Sequence, residues 1–224
     1  MITDHVLQWL KQNGTRATIE GMKRYGIPNE KAFGVPMGLM KKFAKTIGTD
    51  HQLAQALWKH GWYEARTLAV FLADPNKLTS NQMDNWVQQF DNWAICDTAC
   101  FHLFDKTPYA WSKVPTWDAS NQEFVRRAAY ALVWALSVHD KQAGDAAFKE
   151  VLSIMERAKP DDRPLVNKAI DMALRAIGKR NKALNHAALS TAGLLACSGE
   201  KSRAWIGSHA ARELAGRKVQ EKLG

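Results

Sequence analysis

Apolar residues recur at three- and four-residue steps along most of this 224-residue chain. Within residues 122–138, one helical stripe holds Val125, Ala128, Ala129, Leu132 and Leu136. This spacing is typical of an amphipathic α-helix. Strand-like alternation of β-branched and polar residues is missing from the sequence. The pattern therefore predicts an all-α protein.

Start and stop signals divide the pattern into separate helices. Thr79 with Gln82, and Ser120 with Glu123, have the spacing of capping boxes. Gly and Pro near the ends of the apolar runs indicate where helices stop. Residues 105–119 are predicted to form an extended loop. The predicted helices cover residues 2–12, 15–25, 36–47, 50–60, 62–73, 79–90, 92–104, 120–138, 143–158, 161–178, 181–197 and 200–220.

Four segments share a polar start followed by an apolar helix: "YEARTLAVFL", "WAICDTACFHLF", "FVRRAAYALVWAL" and "VNKAIDMALRAI". They follow one another at roughly 30- to 45-residue steps, which fits helix-pair repeats of the HEAT type. Such repeats stack as antiparallel helix pairs into a curved solenoid. We therefore predict HEAT-like repeats with a concave basic groove. No linker divides the chain, so residues 1–224 are expected to form a single domain.

Basic residues outnumber acidic ones by 31 to 22, which gives a formal net charge of +9. The excess is concentrated in the C-terminal third, where "RAIGKRNK" contributes Arg175, Lys179, Arg180 and Lys182 without an acid between them. This clustering favours a nucleic acid as partner, and a merely solvated basic face is the alternative.

Several function classes are excluded or disfavoured. The sequence has no phosphate-binding glycine loop, no HExxH and no GxSxG motif. Cys96, Cys100 and Cys197 lack metal-site spacing, and the seven histidines are scattered. We therefore predict buried thiols, no metal and no cofactor. The sequence lacks a membrane-spanning run and a signal-like start, so we expect no membrane association and a cytoplasmic location, associated with the nucleoid if the source is bacterial.

The segment "DNWAICDTAC" places Trp93 one helical turn before Asp97. A carboxylate within an apolar helix is costly unless it is paired or hydrogen-bonded. A structural ion pair with Arg127, one repeat later, is therefore one interpretation. In helical projection Arg126 flanks the apolar stripe and Arg127 lies opposite it. We expect Arg127 to face outward, where it could hold a phosphate.

These residues carry a resemblance to a known family. From about residue 20 to about residue 197, the chain resembles the DNA alkylation repair glycosylases of the AlkD-like family. The most specific pieces are the Trp-x-x-x-Asp at 93–97, the arginine pair at 126–127, and "KAIDMALRAIGKR" at 168–180. The resemblance implies that this protein is a HEAT-like solenoid that wraps duplex DNA. It also implies that the protein hydrolyses the N-glycosidic bond of cationic N3- or N7-alkylated purines.

The resemblance also implies residue roles. Asp97 corresponds to the catalytic carboxylate, Trp93 to an aromatic that packs against the lesion nucleotide, and Arg127 to the basic residue that completes the site. Met172 stands where the family has a second tryptophan. Methionine keeps bulk and polarizability but lacks the flat π-face that best attracts a cation.

We therefore expect a monomeric DNA N-glycosylase whose partner is duplex DNA containing alkylated bases, with no obligate protein partner. One alternative is a non-catalytic repeat protein that binds damaged or distorted duplex, which the change to Met172 supports. A second alternative is a HEAT-type scaffold in which Asp97 and Arg127 form an ion pair between repeats. The residues expected to contact DNA or the lesion are Trp93, Arg126, Arg127, Met172, Arg175, Lys179 and Arg180.

Overall fold

The computed structural model describes residues 2–224, which form α-helices, one short 3-10 helix at Phe104–Lys106 and connecting loops. No strand occurs within this range, so the predicted all-α class is confirmed. None of the helices in residues 2–224 is long and apolar enough to cross a membrane. The α-helices are α1 (Ile2–Gln12), α2 (Arg16–Arg24), α3 (Met37–Ile47), α4 (His51–Lys59), α5 (Tyr63–Leu72), α6 (Ser80–Val87), α7 (Trp93–His102), α8 (Ala110–Asp118), α9 (Glu123–His139), α10 (Asp145–Arg157), α11 (Pro164–Gly178), α12 (Lys182–Ala196), α13 (Lys201–Leu214) and α14 (Arg217–Leu223).

Local capping explains why most predicted helix ends were close to the observed ones. The Thr79 hydroxyl accepts from the Gln82 amide at 3.2 Å, and the Gln82 side chain accepts from the Thr79 amide at 2.8 Å. This is the predicted capping box of α6. The second predicted box, at Ser120 and Glu123, was wrong. Helix α9 begins at Glu123 after Gln122, which makes no side-chain cap.

The predicted loop over residues 105–119 was wrong, because it contains α8. Pro115 lies inside this helix and removes one backbone donor. Ala110, Val114 and Trp117 nevertheless share one face by their spacing, and all three are buried. Burying a tryptophan and its apolar neighbours offsets the cost of the proline. Tertiary packing therefore allows α8 to form although the local sequence contains a helix-breaking proline.

The predicted helix over residues 200–220 is divided into α13 and α14. The chain turns at Gly216, whose N–H donates to the Glu213 carbonyl at 3.1 Å. Val219 and Gln220 then donate back to the Gly216 carbonyl and open α14. Glycine commonly marks a helix end, and the turn here breaks an otherwise continuous helical pattern.

The chain divides into two compact units, one ending at Tyr109 and the other covering Ala110–Gly224. In the first unit α5 packs against α3, α4 and α7. In the second unit α11 packs against α9, α12 and α13, while α8 packs against α9 and α10 against α12. Each unit therefore has one buried central helix surrounded by its neighbours.

A buried carboxylate anchors the loop that precedes α3. Glu64, on α5, is fully buried and accepts from the backbone N–H groups of Phe33 at 2.9 Å, Gly34 at 2.7 Å and Val35 at 3.2 Å. Gly34 has a φ of +83°, and a Cβ there would lie 2.5 Å from the Thr15 carbonyl oxygen. The loop therefore passes through a tight point that glycine permits and that Glu64 stabilises.

Replacing Glu64 by alanine is expected to lower the free energy of unfolding by about 2–4 kcal/mol, because three N–H groups lose their charged acceptor. Urea unfolding followed by far-ultraviolet circular dichroism measures this loss. The control is Glu20→Ala, which removes an ion pair with Arg16 whose side chains are 57% and 92% exposed. Its expected effect is below about 0.5 kcal/mol. Equal effects of the two substitutions would contradict the anchoring role of Glu64.

Candidate nucleic-acid interface

Helix α7 is a core helix of the first unit, as its composition predicted. Asn92 is the N-cap, and its side-chain oxygen accepts from the Ile95 N–H at 3.0 Å. The residues of α7 that are buried are Ala94, Ile95, Cys96, Ala99 and Cys100. This burial leaves few positions through which α7 can reach a ligand.

Trp93 and Asp97 are two of those positions, since both are half-buried and lie one turn apart. The Trp93 indole N–H donates to the Tyr25 carbonyl oxygen at 3.0 Å. The indole also packs against a buried cluster that contains Met22, Ile27 and Ala94. The end of α2 therefore sets the orientation of the Trp93 ring. The ring lies on the same face of α7 as the Asp97 carboxylate.

The negative charge of Asp97 affects the buried thiols of α7. Burial raises the pKa of the Cys100 thiol well above its ordinary value, and Cys96 and the charge of Asp97 raise it further. Asp97 is thus close to the buried thiols while remaining half-exposed. A carboxylate between the protein interior and solvent attracts a cation more strongly than a carboxylate in bulk water does, because the effective dielectric constant is lower there.

In the second unit, Arg126 is buried on α9. Its guanidinium donates to Asp118 Oδ1 at 3.2 Å, to Asp161 Oδ2 at 2.8 Å and to the Lys159 carbonyl at 2.8 Å. The Tyr130 hydroxyl donates to the same Asp118 oxygen at 2.6 Å. Arg126 therefore joins α9 to the end of α8 and to the loop before α11.

The expectation that Arg127 faces outward was wrong, since only 2% of its surface is exposed. Its Nη1 donates to the Leu165 carbonyl at 2.6 Å. Every residue from 125 to 133 is buried, so α9 is covered around its whole circumference. A helical projection treated the face opposite the apolar stripe as solvent-exposed, because a projection of one helix does not show what packs against that face. The role of Arg127 beside the lesion stays a prediction.

Four other predicted residues come together in the second unit. Met172, Arg175, Lys179 and Arg180 line one cavity of about 820 Å³. Three further basic residues line it: Lys141, Lys168 and Lys222. Asp171 is the one acidic residue among the lining residues, so the cavity is strongly basic.

Part of this basic charge is neutralised inside the protein. Asp171 Oδ2 lies 2.8 Å from an Arg175 guanidinium nitrogen, and Arg175 and Lys179 both pair with Glu213. Partial burial works against ionisation of Glu213, but the hydrogen bonds from Lys179 and Arg175 outweigh it and lower its pKa. Within residues 2–224, Lys141, Lys168 and Lys222 form no ion pair. These three lysines, together with Arg180, carry the part of the cavity's charge that no ion pair compensates.

Arg180 lines the cavity but is used structurally. Its Nη1 donates to the Ser137 carbonyl at 2.7 Å, and its guanidinium carbon lies 4.1 Å from the centroid of the Phe148 ring. Both contacts join the end of α11 to α9 and α10. The guanidinium is therefore committed to protein groups rather than fully available to a ligand.

Comparison with known proteins decides the family. The profile of a family described as DNA alkylation repair enzyme matches residues 6–214. The chain belongs to this family. It is also similar to a solved structure described as "A new family of proteins related to the HEAT-like repeat DNA glycosylases with affinity for branched DNA structures". The TM-score is 0.77, the identity is 21%, and the match covers 96% of each chain. A search of curated proteins gave no match.

The structural likeness confirms the predicted HEAT-like fold for this family member. Besides Lys141, Lys168 and Lys222, the cavity residues that sequence reasoning missed include Asp171, Trp205 and His209. The last three had a signal in the sequence. Two signals could have found them, because Asp171 with Arg175, and Trp205 with His209, have i,i+4 spacing in a basic region. Contact between α11 and α13, which brings the two pairs together, has no signal in local spacing.

The cysteines give a test of the burial of α7. Cys96 and Cys100 are buried, whereas Cys197 is exposed, which makes the prediction of three buried thiols wrong for Cys197. Among residues 2–224, no group of three or more His, Cys, Asp or Glu residues could hold a metal ion.

At about pH 8 a disulfide reagent such as dithionitrobenzoate should modify Cys197 quickly and the α7 cysteines only after unfolding, because the thiolate is the reactive form. The raised pKa of Cys100 and the burial of both α7 thiols disfavour reaction. Absorbance at equal protein concentration, with and without urea, counts the reactive thiols. Cys197→Ser should remove the fast phase. Rapid modification of more than one thiol in the native protein would show that α7 is accessible.

Proposed function

We propose that this protein is a DNA N-glycosylase that removes cationic alkylated purines, with Asp97 as the catalytic carboxylate and Trp93 as its aromatic neighbour. The observation that carries the proposal is the half-exposed pair Trp93 and Asp97 on one face of an otherwise buried helix. Membership of the DNA alkylation repair enzyme family supports it.

The chemistry requires little more than a placed carboxylate. Alkylation at N3 or N7 of a purine puts a positive charge on the base, so the base leaves with the glycosidic electrons without first being protonated. The sugar then develops oxocarbenium character. Asp97 would stabilise that cation and orient the water whose oxygen bonds to C1′, with the water proton passing to the carboxylate or to solvent. The products are the free base and an abasic site.

Trp93 would supply discrimination. An aromatic face attracts a cationic group by about 0.5–2 kcal/mol, whereas a neutral base gains no such term. Because the Trp93 N–H is bound to the Tyr25 carbonyl and the ring packs on a buried cluster, the indole needs little reordering on binding. The selectivity for alkylated bases would therefore come from a ring that is already in position.

The basic cavity of the second unit would bind the DNA backbone. Since Arg126 and Arg127 are both buried, we assign the phosphate contacts of this unit to its exposed lysines, Lys141, Lys168 and Lys222. Each phosphate neutralised by a lysine releases counterions, so affinity for duplex DNA should fall steeply with salt. No obligate protein partner is needed for this arrangement, and we propose that the protein acts as a monomer.

Asp97→Asn is expected to slow base release by about 100-fold or more, because the amide neither stabilises the oxocarbenium charge nor accepts a proton. The measurement is chromatographic detection of free 3-methyladenine and 7-methylguanine from methylated duplex DNA incubated with pure protein. The control is Asp91→Asn, the same chemical change at a carboxylate that is 58% exposed just before α7. Absence of release by the wild-type protein, or full activity of Asp97→Asn, would refute the glycosylase proposal.

Met172→Trp tests the second aromatic position. We expect it to speed release of a cationic base by about 2- to 30-fold, the factor that corresponds to a cation–π energy of about 0.5–2 kcal/mol. Single-turnover rates on DNA with one 7-methylguanine measure the change. Met172→Leu, which supplies bulk without a π-face, should not speed the reaction. An unchanged rate with tryptophan would mean that residue 172 does not contact the lesion.

A second candidate function is binding of branched or distorted DNA without base release. Two points favour it. The resemblance to the AlkD-like family implies that Met172 stands where that family has an aromatic residue, and the similar solved structure is described as having affinity for branched DNA structures. Salt-sensitive binding to branched DNA by a wild-type protein that releases no base would establish this candidate over the first.

A further inference from the structure

The cavity of the second unit contains an aromatic pair that neither proposal above uses. Trp205 and His209 lie one turn apart on α13. Their ring centroids are 5.3 Å apart and their planes differ by 11°, so the rings are stacked. Trp205 is nevertheless 46% exposed. A large indole surface is therefore available beside the basic lining.

A buried carboxylate holds the histidine of this aromatic pair in place. His209 Nδ1 lies 2.8 Å from Asp171 Oδ1, and Asp171 is almost fully buried. The other Asp171 oxygen is held by Arg175 from the same helix, α11. The imidazole is thus fixed from α11 and supports one face of the indole. A ligand that stacks on Trp205 would meet a surface that is already ordered, which lowers the entropic cost of binding.

Free positive charge surrounds the same surface. Lys141, Lys168 and Lys222 line the cavity, are exposed, and form no ion pair within residues 2–224. A flat aromatic surface flanked by uncompensated lysines matches a nucleotide, which joins a flat base to a phosphate. The cavity volume of about 820 Å³ is within the usual range for small-ligand sites.

A DNA base that stacks on Trp205 must have one face that no neighbouring base covers. Inside a duplex, both faces of each base are covered by the neighbouring bases, so Trp205 cannot stack on them. A base at a fork, junction, flap or gap has a free face. We propose that the cavity between α11 and α13 binds an unpaired nucleotide of DNA, with the base stacked on Trp205 and the flanking phosphates held by Lys141, Lys168 and Lys222. This inference rests on the proposed DNA-binding function and specifies the DNA feature that the second unit recognises.

The experiment compares two DNA ligands by fluorescence anisotropy. One is a fork with unpaired arms, and the other is a fully paired duplex of the same length whose two ends are closed by non-nucleotide linkers, so that the closed duplex contains no unpaired base. Trp205→Ala should weaken fork binding by about fivefold or more, the factor that corresponds to about 1 kcal/mol of base stacking. Its affinity for the closed duplex should change by less than about twofold, a change well below that stacking energy.

Two control variants separate stacking from general effects. Trp205→Phe keeps an aromatic ring and should retain most of the fork affinity. Leu194→Ala removes another exposed apolar side chain, 59% exposed on α12 and outside the cavity, and should change neither affinity. Circular dichroism confirms that each variant is folded.

A direct readout uses the fork with 2-aminopurine at an unpaired position, since stacking quenches its fluorescence. The wild type and Trp205→Phe should quench it, and Trp205→Ala should not. Equal wild-type affinity for the fork and the closed duplex, absence of quenching by the wild type, or quenching that survives Trp205→Ala would overturn the inference.

The base-release assay and the fork-binding experiment together distinguish the two proposals. If the wild type releases no alkylated base yet the Trp205 results hold, the glycosylase proposal fails and the nucleotide site stands. If the wild type binds neither DNA, both proposals fail.

Discussion

Buried charged side chains that hydrogen-bond loop backbone atoms hold each unit together. Helix ends leave backbone N–H and C=O groups without intrahelical partners, and covering those groups is costly unless another group bonds them. Glu64 supplies an acceptor for three amides before α3, while Arg126 and Arg127 donate to carbonyls near the start of α11. Arg203 donates to carbonyls at the end of α10. These bonds set the positions of the helices that carry the candidate sites.

The same bonds change the meaning of the net charge. A formal charge of +9 favours a polyanionic partner, but it does not say which basic side chains would contact one. Arg126, Arg127 and Arg180 are bonded to groups of the protein itself. The lysines of the cavity stay exposed, because an ammonium group is strongly hydrated and costly to bury. Under the proposed function, DNA contact in the second unit would therefore fall to lysines, while most of the arginines named here stabilise the fold.

Two acidic residues within apolar helices differ in how far they are buried. Asp171 is bonded by Arg175 and His209 and is almost fully buried, so its charge stabilises the second unit and orients an aromatic ring. Asp97 is half-exposed on the face that also presents Trp93. The interpretation of a carboxylate with a structural partner describes Asp171, and for Asp97 it stays a prediction. The two units would then supply different functions, lesion chemistry from α7 and nucleotide binding from α11 and α13.

The sequence by itself determined the all-α class, most helix ends, the HEAT-like repeat and the shared face of Trp93 and Asp97. Apolar spacing and capping involve residues within one or two helical turns of each other, so they can be recognised from the sequence alone. Only the tertiary structure decided that Trp117 is buried and α8 persists through Pro115, and that Arg127 is covered. It also brought His209 to Asp171, 38 residues away along the chain. Such contacts depend on which helices pack together, and periodicity within a single helix carries no information about its neighbours.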